Sequence, residues 1–131
     1  MISKKFPISM DQTFGKEYKL QGKTTLDVLF NQGEAVKFFP IKLIFRRIET
    51  SPQQKFLFVV PKKLVRSAHD RNYLKRCMRE IVRKNKAIFT RENTGLHIGI
   101  LYQQQQRLPF KQLEQKLVKA LSLFANKLTH D

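Results

Sequence analysis

Apolar and polar positions along the chain fall into six patterned stretches. From Thr24 onward Leu26, Leu29 and Phe30 recur at i, i+3 and i+4, which predicts a helix with Asp27 in its first turn and Gly33 as its stop. Ile41, Leu43 and Phe45 then alternate with Lys42, Ile44 and Arg46, the period of a strand with one buried face. Residues 49–54 are a polar turn, and the unbroken apolar run over 56–60, ended by Pro61, predicts a second strand in a central position. Helical periodicity resumes from Ser67 to Asn85, where Ser67 with Asp70 three residues on resembles a capping box. A third strand covers 96–102, a short glutamine loop follows, and a last helix over 109–128 carries Leu113, Leu117, Leu121 and Phe124 on one side. No repeat and no linker interrupts the pattern, so residues 1–131 read as one domain, a sheet with helices packed on it. Residues 1–19 are basic and without periodicity; they read as a loosely tethered arm, mobile over residues 1–15.

The fourth stretch changes the picture. At 100° per residue, Leu74, Cys77, Met78, Ile81 and Val82 gather on one side of the helix. Arg71, Asn72, Lys75, Arg76, Arg79 and Arg83 gather opposite, within an arc of about 140°. Tyr73, Glu80 and Lys84 lie on a flank. Solvated helix faces ordinarily interleave both signs at i, i+4, which stabilises the helix. Here Arg71, Lys75, Arg79 and Arg83 stand at successive i, i+4 steps and repel one another. An anion that binds the face removes that penalty. Four arginines favour bidentate phosphate contacts, and Asn72 among them can hydrogen-bond a base, a phosphate or a sugar, or simply be a first-turn polar residue.

Charge gives the helix its meaning. Ten Lys/Arg against two acids between Lys62 and Lys86 leave +8, half of the chain's +16, and the pI is near 10.4. A polyanion is the natural partner, nucleic acid above all, because phosphate contacts release condensed counterions. Hydrophobic residues make up 41% of the chain and eleven are Phe, which argues against disorder. There is no apolar run of about 18 residues and no secretory signal, so no membrane partner is expected. The single Cys77 excludes an internal disulfide and fits a reducing, cytoplasmic compartment.

Catalytic groups do not assemble in the sequence. A protein nuclease needs gathered carboxylates for metal ions, or a base with a charge stabiliser. Asp11, Glu17, Asp27, Glu34 and Glu49 are scattered, Asp70 is explained by capping, His97 sits in an apolar strand as a packed or edge residue, and Cys77 lies on the apolar side of its helix. No protein metal site is expected.

Taken together, Lys62-Lys63-Leu64, then Arg71-Asn72-Tyr73-Leu74-Lys75-Arg76, then Arg79-Glu80 resembles the signature helix of the bacterial ribonuclease P protein subunit, whose core reads Arg-Asn-Arg-(Ile/Leu)-Lys-Arg. Leu20, Leu26, Leu29, Phe30 and Gly33 match that family's first-helix spacing, and the likeness extends over about residues 16–128. Tyr73 replaces the third residue of the core, and the linker from Lys63 to Arg71 is a residue longer than usual. The resemblance implies an α+β fold: a single-layer mixed β-sheet with helices packed on it, in α-β-β-β-α-β-α order with a left-handed crossover. It implies an RNA-binding domain serving a ribonucleoprotein that removes the 5′ leader of precursor tRNA, with catalysis by the RNA subunit and its Mg²⁺ ions and no obligate protein partner. By position it implies RNA contacts from Lys62, Lys63, Arg66, Arg71, Asn72, Lys75, Arg76, Arg79 and Arg83, and a leader-binding cleft at Leu26, Phe30, Lys42 and Ile44. Leu26 and Phe30 also fit a core-facing stripe, and Phe38 and Phe39 are further stacking candidates. The alternative is a structural RNA-binding protein of ribosomal or assembly type, or a DNA-binding module.

Overall fold

The computed structural model describes residues 19–50, 52–90 and 95–130; the arm expected over residues 1–15 lies outside them. The elements run α1 (Lys23–Gln32), β1 (Glu34–Phe38), β2 (Ile41–Ile48), β3 (Gln54–Val59), α2 (Ala68–Lys84), the single turn α3 (Ala87–Thr90), β4 (Gly95–Tyr102) and α4 (Phe110–His130). The sheet order is β1-β2-β4-β3, with β1 and β4 antiparallel to β2 and β3 parallel to β4. This is the mixed α+β arrangement expected.

One face of the sheet carries the main core. Val36, Leu43, Phe45, Phe56, Ile98, Ile100 and Tyr102 meet Leu74, Met78 and Ile81 of α2 and Leu113, Leu117, Leu121 and Phe124 of α4. Phe45 and Phe124 pack edge to face with centroids 4.8 Å apart. The predicted apolar sides of both helices are the sides buried here. Ser67 caps α2, its hydroxyl accepting from the Asp70 N–H at 3.2 Å.

The opposite face is covered by α1. Register aligns Ile44 of β2, Gly99 of β4 and Leu57 of β3 in one row, and Leu29 lies over them with Leu20 and Ile44 in a second, smaller core. Each such fully buried aliphatic side chain contributes about 1.5–3 kcal/mol of transfer free energy. Gly33 permits the tight exit from α1: a Cβ there would fall 2.5 Å from the Leu29 carbonyl oxygen and 2.7 Å from Ile44 Cγ2.

Three details depart from the sequence pattern. The helix α1 begins at Lys23, capped by Gly22 at φ 101°, so Asp27 lies beyond its first turn. The apolar run over 56–60 does not mark a central strand. β3 is at the sheet edge, and both of its faces are apolar because Leu57 meets the α1 side while Phe56 and Phe58 meet the α2 side. Its outer edge is partly closed by the Lys19 bridge to Phe56 and the Leu20 N–H donated to the Phe56 carbonyl at 2.9 Å. Finally, β1 has no distinctive pattern over its five residues and is defined by pairing with β2.

Candidate nucleic-acid interface

Two surfaces, one on each side of the sheet, carry the charge. The first is α2 with the turn before it. Lys62, Lys63 and Arg66 are exposed in the connection from β3, where the Leu64 and Val65 N–H groups donate to the Pro61 carbonyl at 3.1 and 3.0 Å. Arg71 reaches back to that connection, donating to the carbonyls of Val65 at 2.9 Å and Arg66 at 2.8 Å. Its guanidinium thus fixes where the basic turn sits relative to α2, rather than standing free as the helical pattern implied. Asn72, Arg76 and Arg79 are exposed and Lys75 half-buried. Arg79 lies over the Phe58 ring at 5.5 Å, which orients it toward β3.

Arg83 is paired within its own helix, three residues from Glu80. Its Nη2 is 2.5 Å and its Nε 2.8 Å from the two carboxylate oxygens of Glu80. Hydrogen bonding from Arg83, reinforced by its charge and that of Lys84, holds the Glu80 carboxyl below the usual range against the opposing effect of burial. The capping box is also half made. Ser67 accepts from the Asp70 N–H, but the Asp70 side chain pairs with Arg107 at 3.1 Å instead of reaching back.

The second surface is the face under and beside α1. Leu29 is fully buried whereas Phe30 is 41% exposed, so Leu29 is the core residue of the helix and Phe30 is available to a ligand. Leu26 is half-buried against the same small core and Lys42 half-buried on β2. Ile44 is sealed beneath α1 and does not line an open surface. Phe38 packs on the main core with Lys116 over its ring at 5.7 Å, and Phe39 at the β1–β2 turn is 70% exposed.

Register adds residues to this face that alternation alone cannot align. Lys37 stands opposite Lys42. Arg46, His97 and Lys55 stand side by side across β2, β4 and β3. His97 is therefore neither an edge residue nor packed in the main core; it is half-buried in an interior strand between two cations. Burial, then Lys55, then Arg46 push its imidazole below its ordinary pKa. Like charges directly opposed across strands are unfavourable until an anion joins them.

The family model for Ribonuclease P matches residues 14–124, across both surfaces. The chain belongs to the ribonuclease P protein family. A ribonuclease P protein component from Chlorobaculum tepidum is 43% identical over 76 residues, 54% of this chain and 49% of that relative, so the matched part spans about half of the relative's length. Among solved structures, the Thermotoga maritima RNase P protein aligns with a TM-score of 0.66 at 25% identity, covering 79% of this chain and 94% of that one. The Staphylococcus aureus RNase P protein aligns with a TM-score of 0.73 at 19% identity, covering 82% and 95%, and shares the fold. Within this family the motif position held by Tyr73 is occupied here by a ring that is not bare: the Arg107 guanidinium carbon lies 4.1 Å from its centroid. Arg107 comes from the β4–α4 loop, and no spacing rule connects it to α2. Among the described residues no helix is long and apolar enough to cross a membrane.

Proposed function

We propose that this chain is the protein subunit of a cytoplasmic ribonucleoprotein ribonuclease P. It binds the catalytic RNA through α2 and the basic turn before it, and holds the 5′ leader of precursor tRNA on the α1 face. The observation that carries this reading is α2 itself, with five buried apolar residues on one side and Asn72, Arg76 and Arg79 exposed on the other, in a chain of this family. Arg76, Arg79, Lys75, Lys62 and Lys63 neutralise clustered RNA phosphates and release their counterions. Phe30 gives a leader base a surface to stack on, and Lys42 a charge beside it, which is sequence-tolerant recognition of a single strand. Holding the leader raises affinity for precursor over product. Cations supplied by the protein lower the Mg²⁺ concentration the RNA requires.

The protein contributes no reacting group in this reading; it is the binding subunit of a tRNA-processing endoribonuclease. We assign Mg²⁺ to the RNA and its substrate, where it would supply charge stabilisation and a more acidic bound water. The test is precursor-tRNA cleavage at low Mg²⁺ by a bacterial ribonuclease P RNA, with the protein, without it, and by the protein alone. Cleavage at the mature 5′ end only when both are present is expected. No effect of the protein would leave a general RNA-binding protein as the reading, and cleavage by the protein alone would mean that it holds a catalytic site.

A further inference from the structure

Going round α2 beyond Arg76, the positions are His69, Glu80 paired with Arg83, the uncharged Tyr73, and then Lys84 near the far end of the helix. Arg107 reaches the Tyr73 position from another element. Its guanidinium carbon sits 4.1 Å from the Tyr73 ring centroid, and its Nη1 donates to Asp70 Oδ1 at 3.1 Å. The position is fixed from both sides. Tyr73 is partly buried against the main core, one turn before the buried Cys77. In the loop, the two neighbours of Arg107 are both tied to the buried Tyr102: its hydroxyl donates to the Gln106 carbonyl and accepts the Leu108 N–H at 3.2 Å. The Arg107 side chain nevertheless remains 42% exposed, and beyond Asp70 its N–H groups meet no partner among the described residues. A guanidinium laid on an aromatic ring is held in plane with its donor edges available for a phosphate. Its placement puts a cation at the Tyr73 position, about 60° round the helix from Arg76.

We propose that Arg107, stacked on Tyr73, is an RNA-phosphate-binding residue that completes the cationic side of α2 from the β4–α4 loop. This rests on α2 being the RNA-binding face. Tyr73 is a positioning residue: it supplies no charge and acts by holding the guanidinium where a helix-borne cation would stand.

The experiment is a salt series of binding by the full chain to a bacterial ribonuclease P RNA, comparing Arg107→Ala, Tyr73→Leu, their double variant and Arg76→Ala, each checked for native circular dichroism. Losing one phosphate contact makes the slope of log K against log salt shallower by about 0.9, which from a common point near 1 M salt is about eightfold weaker binding at 0.1 M. Arg107→Ala should show that change. Tyr73→Leu should show a smaller loss in the same direction, and the double variant should bind no more weakly than Arg107→Ala, since the two act as a unit. If Arg76→Ala flattens the slope while Arg107→Ala leaves it unchanged, the assignment of Arg107 is overturned and the RNA-binding face stands. If both leave it unchanged, α2 is not the RNA face. Additive losses in the double variant would overturn the role of Tyr73 as the platform.

Discussion

Leu29 and Phe30 are neighbours on α1 with opposite fates, and truncating each to alanine should separate stability from function. Leu29 is fully buried against Leu20 and Ile44 beneath the sheet. Leu29→Ala removes buried methyl groups and leaves a cavity, which costs about 2–5 kcal/mol, or roughly 6–25 °C in melting temperature at about 3–5 °C per kcal/mol for a domain of this size. Phe30 keeps 41% of its surface in solvent. With about three-fifths of a full burial term of up to 3 kcal/mol at stake, Phe30→Ala should cost only about 1–2 kcal/mol. Its functional cost should be specific. One base stacked on an aromatic ring is worth about 1–3 kcal/mol, or about 5- to 150-fold in affinity, and mature tRNA has no leader base to stack. Binding of precursor and mature tRNA to the assembled complex, alongside urea denaturation of each variant, checks both halves. Equal losses on the two tRNAs, or a larger stability loss for Phe30→Ala than for Leu29→Ala, would refute the reasoning.

Glu80→Gln removes a negative charge from beside the cationic side of α2 and should tighten binding to ribonuclease P RNA several-fold; an exposed ion pair of this kind is worth at most about 1 kcal/mol, so the fold should persist, and unchanged binding would show that Glu80 does not face the RNA. Gly33→Ala should lower the urea midpoint by the equivalent of about 1–3 kcal/mol, because the added Cβ meets the Leu29 carbonyl oxygen at 2.5 Å and Ile44 Cγ2 at 2.7 Å; a midpoint equal to wild type would mean that α1 shifts at no cost. His97 has its pKa pushed below the ordinary value of about 6.5 by burial, Lys55 and Arg46. As pH falls through about 6.5 the unfolded chain takes up a proton before the folded one does, so stability drops until the folded-state pKa is passed. Urea midpoints at pH 7.5 and 5.5 should therefore differ more for wild type than for His97→Gln, and an identical difference in both would remove His97 as the cause.

The element α2 was readable almost to the residue, Ser67 and Asn85 standing as its two caps and Leu74, Cys77, Met78, Ile81 and Val82 as its buried side. So was the apolar side of α4, with Leu113, Leu117, Leu121 and Phe124. These features are local: capping, a 3.6-residue period and charge density are set by residues within a turn or two of each other. What stayed hidden depends on contacts between distant parts of the chain. Sequence spacing cannot say that β3 lies at the edge, that Ile44 is sealed while Phe30 is exposed, or that Arg46, His97 and Lys55 form one row, because strand order and register are settled by which faces α1, α2 and α4 cover. Nor does the local pattern distinguish a free cation from one already engaged. Arg71 is bound to backbone carbonyls five and six residues back, and Arg107 meets Asp70 across 37 residues of sequence. The sequence by itself determined that a cationic helix would meet an anion and which side of it would be buried. Only the tertiary structure decided which of those cations are left to do so, since a guanidinium's partners are fixed by what folding brings within about 3 Å of its donors.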